Sequence, residues 1–315
     1  MYTKFSTKLK EKYSSKVYKI PISIDTTCPV RDGSISKGGC IFCGEKGAGY
    51  ENGDCKESIT KQINDNLDIF VNKYKAEKFI LYFQNFTNTY IKLSTFKNNI
   101  IEAVNAVDNA VAISISTRPD CIDSDYLDFL KEVENKYHLD IIIELGLQSV
   151  NNETLKKLNR GHTLADYLKA ALLIKSYDFE ICTHIIASIP YDRDEDLVEA
   201  AKILSILNTN SVKIHSLYIE KNTILGKMYE EGKIEMLKLD DFVRRVVLFL
   251  ENLSEEVAVE RLVSRVPKEE DVLFLNWDRS HWVIQDMIID EMKKQNTYQG
   301  KKYNEYQKGL LDKFK

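Results

Sequence analysis

The chain has 315 residues, 43% of them hydrophobic and 29% charged, with a net charge of −4; that balance is typical of a soluble globular protein large enough to bury a substantial core. No apolar run approaches the roughly 20 residues of a membrane span, and residues 1–20 carry six lysines where a secretory signal would be apolar, so the expectation is a cytoplasmic protein with no membrane partner. Six cysteines are too few for a disulfide scaffold at this length and point instead to metal binding or chemistry.

Charge is unevenly spread. Residues 1–20 and 293–315 each carry +5, leaving −14 for the stretch between them. Basic ends with Tyr2, Tyr13, Tyr18, Tyr298, Tyr303 and Tyr306 suit a polyanion such as RNA, and equally suit solvated tails; charge alone favours the tails.

After residues 1–16, a basic leader, Val17–Asp25 reads as a strand running into Cys28. Cys28, Cys40 and Cys43 then fall within sixteen residues on a loop containing Gly33, Gly38 and Gly39. A Cys-x2-Cys pair can turn both sulfurs to one centre, and the glycines allow the positive backbone dihedrals of a tight wrap. Cys55 makes a near-symmetric Cys-x11-Cys-x2-Cys-x11-Cys set that could close a tetrahedral zinc site. Spacing alone leaves iron–sulfur cluster and zinc both open.

Residues 58–74 open with a serine cap and place Ile59, Ile63, Leu67, Phe70, Val71 and Tyr74 on one helical face. Strands follow at 78–84, 111–118, 139–148, 179–189 and 212–219, alternating with helices at 94–107, 124–137, 152–158, 163–177 and 194–207. Six strands in βα alternation predict parallel pairing with right-handed crossovers. Polar residues recur at period two inside the strands: Tyr82 and Gln84; Ser114, Ser116 and Arg118; Glu144 and Gln148; Cys182, His184 and Ser188; Lys213 and His215. A doubly wound sheet should read as continuous apolar runs. A polar strand face predicts a partial (β/α)6 barrel of the TIM type with a lined lumen, its site at the C-terminal strand ends. The expected division is a core over 17–230 and a small α+β extension with a basic tail over 231–315, in which Trp277 and Trp282 read as core.

Cys28, Cys40 and Cys43, with Phe42 before the last cysteine, resemble the radical S-adenosylmethionine (SAM) superfamily. The eleven-then-two spacing is similar to the YhcC/YtqA-like branch related to the catalytic subunit of Elongator. Supporting segments are YFQNFTNTY (82–90), SISTRPDC (114–121), IELGLQSV (143–150), LNRGH (158–162), CTHIIASIP (182–190) and KIHSLYIEKNT (213–223).

The resemblance implies that Cys28, Cys40 and Cys43 bind three irons of a [4Fe-4S] cluster, leaving the fourth open to SAM. Reductive cleavage then yields a 5'-deoxyadenosyl radical that modifies a substrate. By the same resemblance Phe42 packs near the adenine, and Gln84, Asn85, Thr87 and Asn88 face the methionine amino group. Ser116 or Arg118 stands in for a ribose-binding glutamate of relatives, while Gln148 and His184 lie near the ribose. Glu144, Lys213 and His215 are the remaining polar lumen candidates for catalysis or positioning. The implied partners are a tRNA, whose wobble-uridine carboxymethylaminomethyl group would be processed to aminomethyl, and a reductant such as flavodoxin or ferredoxin. A small-molecule or protein substrate is the alternative, as is a zinc-stabilised RNA-binding protein. Ser188-Ile189-Pro190-Tyr191-Asp192 replaces the Gly-Leu-Pro-Gly-Glu of relatives.

Overall fold

The computed structural model describes residues 1–44, 47, 53–265 and 271–307, with only the backbone of 305–307. In chain order its elements are α1 (Phe5–Tyr13), β1 (Val17–Ile22), α2 (Ile59–Asn72), β2 (Lys78–Phe83), α3 (Leu93–Asn105), β3 (Ala110–Thr117), α4 (Ser124–Tyr137) and β4 (Asp140–Gln148). These are followed by α5 (Asn152–Lys157), α6 (Leu164–Lys175), β5 (Glu180–Ile186), α7 (Asp194–Ile206), β6 (Ser211–His215), β7 (Ile219–Glu220), α8 (Ile224–Glu230), α9 (Leu239–Asn252), β8 (Ala258–Arg261), β9 (Val272–Phe274), α10 (His281–Lys294) and α11 (Lys301–Gln307).

The architecture is a partial (β/α) barrel whose sheet has the strand order β1-β2-β3-β4-β5-β6-β8. The expected barrel is present with one strand more than its six. β8, read from sequence as part of the extension, pairs parallel with β6 through Ser211↔Ala258 and Val212↔Val259. The expected strand at 212–219 is divided: β6 ends at His215, and β7 pairs antiparallel with β9.

The chain forms two compact units. One comprises Ser6–Leu147 and Leu158–Cys182. Here β1, β2, β3 and β4 pair in parallel, in registers such as Ile20↔Leu81, Tyr82↔Ser114 and Ser116↔Glu144. Parallel direction brings the segments after each strand to one rim, which is where Cys28, Thr87, Asn88 and Arg118 lie. α2 is capped by Ser58, whose side chain accepts from Lys61 N, and it buries Gln62, which bonds both backbone groups of Ser23 at 2.8 and 2.9 Å. The basic leader is not a free tail. It folds as α1, with Tyr13 hydrogen-bonded to Asp140 and Lys12 ion-paired to Asp140 and Glu180.

The second unit comprises Met1–Phe5, Gln148–Lys157 and Thr183–Lys315. Its core is built on α7, α9 and α10, with Leu197, Leu204, Phe242, Val246, Phe249, Ile284 and Ile288 buried. Trp277 packs against Phe242 and Phe274 and donates its Nε1 proton to Leu237 O. Trp282 differs from the expected core residue: it is 58% exposed, with Arg265 over its ring. Among the described residues no helix is long and apolar enough to cross a membrane. Residues 308–315 of the basic tail lie outside the described residues.

Candidate metal and cofactor site

The cysteine loop begins six residues after β1. Cys28 O accepts from both Arg31 N and Asp32 N, Val30 O from Gly39 N, and Cys40 O from Cys43 N, so three short turns fold the loop back on itself. Gly38 and Gly39 have φ of 86° and 77°. Two consecutive left-handed residues are accessible to glycine at little cost and strain any other residue. The result gathers the thiols: Cys28, Val30 and Cys40 form one buried cluster with Phe42, Cys43 and Phe86 packed against it. Cys55 is exposed and outside this cluster, so the described residues bring together three thiols, not the four of a closed zinc site.

A second segment, residues 158–162, clamps the loop. Ile41 N donates to Leu158 O, and Asn159 Nδ2 donates to Gly39 O and Lys37 O at 2.7 and 3.2 Å. The Arg160 guanidinium follows at once, with Nη2 on Gly146 O at 2.7 Å and Nη1 3.5 Å from Cys40 Sγ. Arg31 mirrors it on the other side, Nη1 standing 3.7 Å from Cys43 Sγ and 2.8 Å from Gly44 O. Cys28 Sγ lies 2.9 Å from Thr87 Oγ1.

Burial pushes the Cys28 thiol up and the Cys43 thiol up to about 12, the latter aided by the Cys40 sulfur. With no metal these thiols stay protonated, and the arginines act against that trend. His162 is pushed down to about 3, first by burial and then by Arg160 and Arg118, so it is neutral at ordinary pH.

Three buried polar atoms here have no hydrogen-bond partner: Arg118 Nη1, Arg160 Nε and Asn88 Oδ1. An orphaned buried group costs about 1–3 kcal/mol. Two donors and one acceptor left open beside three gathered thiols fit a bound group with both charges, as the amino and carboxylate ends of SAM on a cluster present. The residues therefore fit the cluster and SAM.

The other expected site residues are distributed as follows. Gln84 continues β2, its N–H on Ile22 O. Asn85 is engaged on both backbone groups of Ile24, at 3.2 and 2.8 Å, so its amide fixes the approach to Cys28. Asn88 donates Nδ2 to Phe83 O, Asn85 O and Ser116 O, which aims its free Oδ1. Ser116 Oγ lies 3.2 Å from Tyr82 Oη and 3.4 Å from the Glu144 carboxylate, which accepts, and Arg118 forks onto Asp120 at 2.9 and 2.6 Å. Glu144 is fully buried and ion-paired to Lys19 at 2.7 Å, with Ser114 Oγ also donating to it at 2.7 Å.

Gln148, His184, Lys213 and His215 belong to the second unit. Gln148 ends β4 in the left-handed region at φ 71°. The His184 and His215 rings lie 5.2 Å apart, and buried Lys213 is 3.5 Å from Glu260. Sequence reasoning passes over Arg31, Arg160 and His162 as site residues, although they sit inside the quoted cysteine loop and LNRGH segment. For Arg31 the sequence offers a positive charge three residues after Cys28; Arg160 and His162 stand far from any cysteine in sequence and carry no such signal.

Residues 33–204 match the Radical SAM superfamily and residues 209–294 the Radical SAM C-terminal domain. YtqA of Bacillus subtilis is 35% identical over 93% of this chain and 90% of its own length, and YhcC of Escherichia coli is 28% identical over 88% of each. At greater distance, the tRNA uridine(34) acetyltransferase of Methanocaldococcus infernus is 25% identical over 51% of this chain and 30% of that protein. The solved structure of Methanocaldococcus infernus Elp3 with an N-terminal deletion superposes with a TM-score of 0.67 at 17% identity, covering 90% of this chain and 64% of that one. The chain therefore belongs to the radical SAM superfamily, in the YhcC/YtqA-like branch related to Elongator, and is an enzyme whose cofactors are a [4Fe-4S] cluster and S-adenosylmethionine.

Proposed function

We propose that Cys28, Cys40 and Cys43 hold three irons of the cluster and that the enzyme modifies the side chain of a tRNA wobble uridine, converting carboxymethylaminomethyl to aminomethyl. The observation that carries the site assignment is the gathering of these three thiols, with Cys55 left outside, beside the buried guanidinium of Arg160 and the half-buried one of Arg31. When bound, the two cofactors supply reductive cleavage of SAM and a hydrogen-abstracting radical.

The chain's own residues do the holding. Thr87 orients Cys28, Phe42 and Phe86 exclude water from the thiols, and Asn88 Oδ1 accepts from the methionine ammonium. Arg118 Nη1 and Arg160 Nε donate to its carboxylate. Ser116, engaged on Tyr82 and Glu144, shapes the wall with Gln84. Gln148 and His184 as ribose contacts rest on the resemblance, and Lys213 and His215 as substrate-side groups on their place in the polar strand face. Division into a core over 17–230 and an extension over 231–315 rests on the end of the regular βα alternation near residue 230. A flavodoxin or ferredoxin in the cytoplasm would supply the electron.

Two things support tRNA as the substrate. Relatives by sequence include an enzyme named for tRNA uridine 34, and α1 presents exposed Lys8 and Lys10 that suit phosphates. Purified without oxygen, the protein should bind about four irons and cleave SAM once reduced. Nucleosides of tRNA from a deletion strain should accumulate the carboxymethylaminomethyl form. An unchanged wobble profile with SAM cleavage intact would move the substrate to a small molecule or a protein; colourless protein holding one zinc would remove the enzyme reading altogether.

A further inference from the structure

We propose that Arg31 and Arg160 set the reduction potential of the cluster, an inference resting on the assignment of Cys28, Cys40 and Cys43 as its ligands. Each guanidinium donates to the sulfur of a different cysteine, Arg31 to Cys43 at 3.7 Å and Arg160 to Cys40 at 3.5 Å. Hydrogen bonds to cluster sulfurs are among the principal controls on iron–sulfur potentials.

The charge balance sharpens this. Arg118, close by, is neutralised by Asp120 at 2.6 Å. Arg31 and Arg160 have no carboxylate within ion-pair distance among the described residues, and Arg160 is only 8% exposed. An arginine is charged at any ordinary pH, and a buried charge without a partner is destabilising. The loaded site supplies a counter-charge to both: a doubly positive cluster core with three thiolates is net negative by one charge, and gaining one electron makes it two. Two fixed guanidiniums match the reduced state better than the oxidised one and so raise the potential.

Both groups are held rigidly. Arg160 is pinned by Gly146 O at 2.7 Å and by the left-handed Gly161 beside it. Arg31 is pinned by Gly44 O at 2.8 Å and lies over the Phe86 ring at 5.0 Å. A clamp that only shaped the loop could use neutral donors, as Asn159 does on Gly39 O. The step is a single electron accepted from a low-potential one-electron donor, with no bond or proton moving, so both arginines are positioning residues with an electrostatic effect.

The test is a redox titration of the anaerobically loaded full chain, followed by electron paramagnetic resonance of the reduced cluster, for wild type, Arg160→Gln and Arg31→Gln. Each variant should lower the ratio of reduced to oxidised cluster at fixed potential about tenfold, a change of roughly 59 mV to more negative values. Wild-type iron content with an unchanged potential in the variants overturns the proposal. Failure of both variants to load iron also overturns it, because the arginines would then build the loop and not tune it; if one variant loads, its potential decides. A wild-type protein that binds no cluster refutes the ligand assignment beneath it, a distinct result.

Discussion

Gly161 has a φ of 79°, and a β-carbon added there would stand 2.7 Å from Val30 Cγ1 and 3.3 Å from Arg118 Nη2. Val30 is in the buried cluster with Cys28 and Cys40, so the loop would have to move. Gly161→Ala should cost roughly 1–3 kcal/mol of stability through backbone strain and overpacking, read by urea denaturation, and should lower iron content after reconstitution. The cysteines make a sharper contrast. Cys40→Ser removes a buried sulfur that also accepts from Arg160 and should abolish a stable four-iron load. Cys55→Ser changes an exposed thiol and should leave iron content and the visible spectrum at wild-type values; loss of iron there would return the four-thiol set to consideration.

Among the elements, β1 and β4 share one buried charge pair. Lys19 reaches Glu144 at 2.7 Å and lies over the Tyr82 ring at 5.0 Å, while Ser114 and Ser116 also hydrogen-bond the carboxylate. Removing the lysine takes a direct counter-charge from a fully buried carboxylate, typically at a cost of about 3–5 kcal/mol. Lys19→Met should therefore destabilise strongly in denaturant melts, and Lys19→Met with Glu144→Gln should recover part of the loss. The polar face that holds this pair is legible in the sequence, because strand periodicity is local and Tyr82, Ser114, Ser116 and Glu144 fall at alternate positions. The Ser58 cap and the left-handed glycines of the cysteine loop are legible for the same reason. Long-range pairing is not. β8 looks like an appendage because nothing in 257–263 says which strand it will join, and Gln62 is buried inside α2 only because the Ser23 backbone lies opposite it. The helical period places Val71 on the inner face, yet Val71 is 45% exposed. Arg31 and Arg160 are illegible as sulfur donors because the role of Arg160 exists only once residues 120 positions apart meet, and that of Arg31 only once the loop has folded back.

For the molecule as a whole, two buried groups pull the pH dependence of stability in opposite directions. His162 titrates near 3 in the fold against 6.5 ordinarily; the unfolded chain binds more protons between those values, so this group makes stability rise with pH across that window. Asp192, 4% exposed, is pushed up to about 6 from 3.8, chiefly by burial and with a further push from Asp196. Ser149 Oγ donates to it at 2.9 Å, and Thr154 and Arg245 also act to lower it, but they do not offset the burial. Here the folded chain binds more protons between about 4 and 6, so stability is lost as pH rises through that range and the deficit is complete above it. A tenfold change in proton affinity corresponds to about 1.4 kcal/mol, which puts the penalty at pH 7 on the order of 2–3 kcal/mol. Asp192→Asn removes the charge and keeps an acceptor for Ser149. The variant should match wild type in thermal melts near pH 4 and gain stability over it progressively to pH 7, with no further gain by pH 8. An equal gain at every pH would mean that shape, and not the ionisation of Asp192, makes the difference.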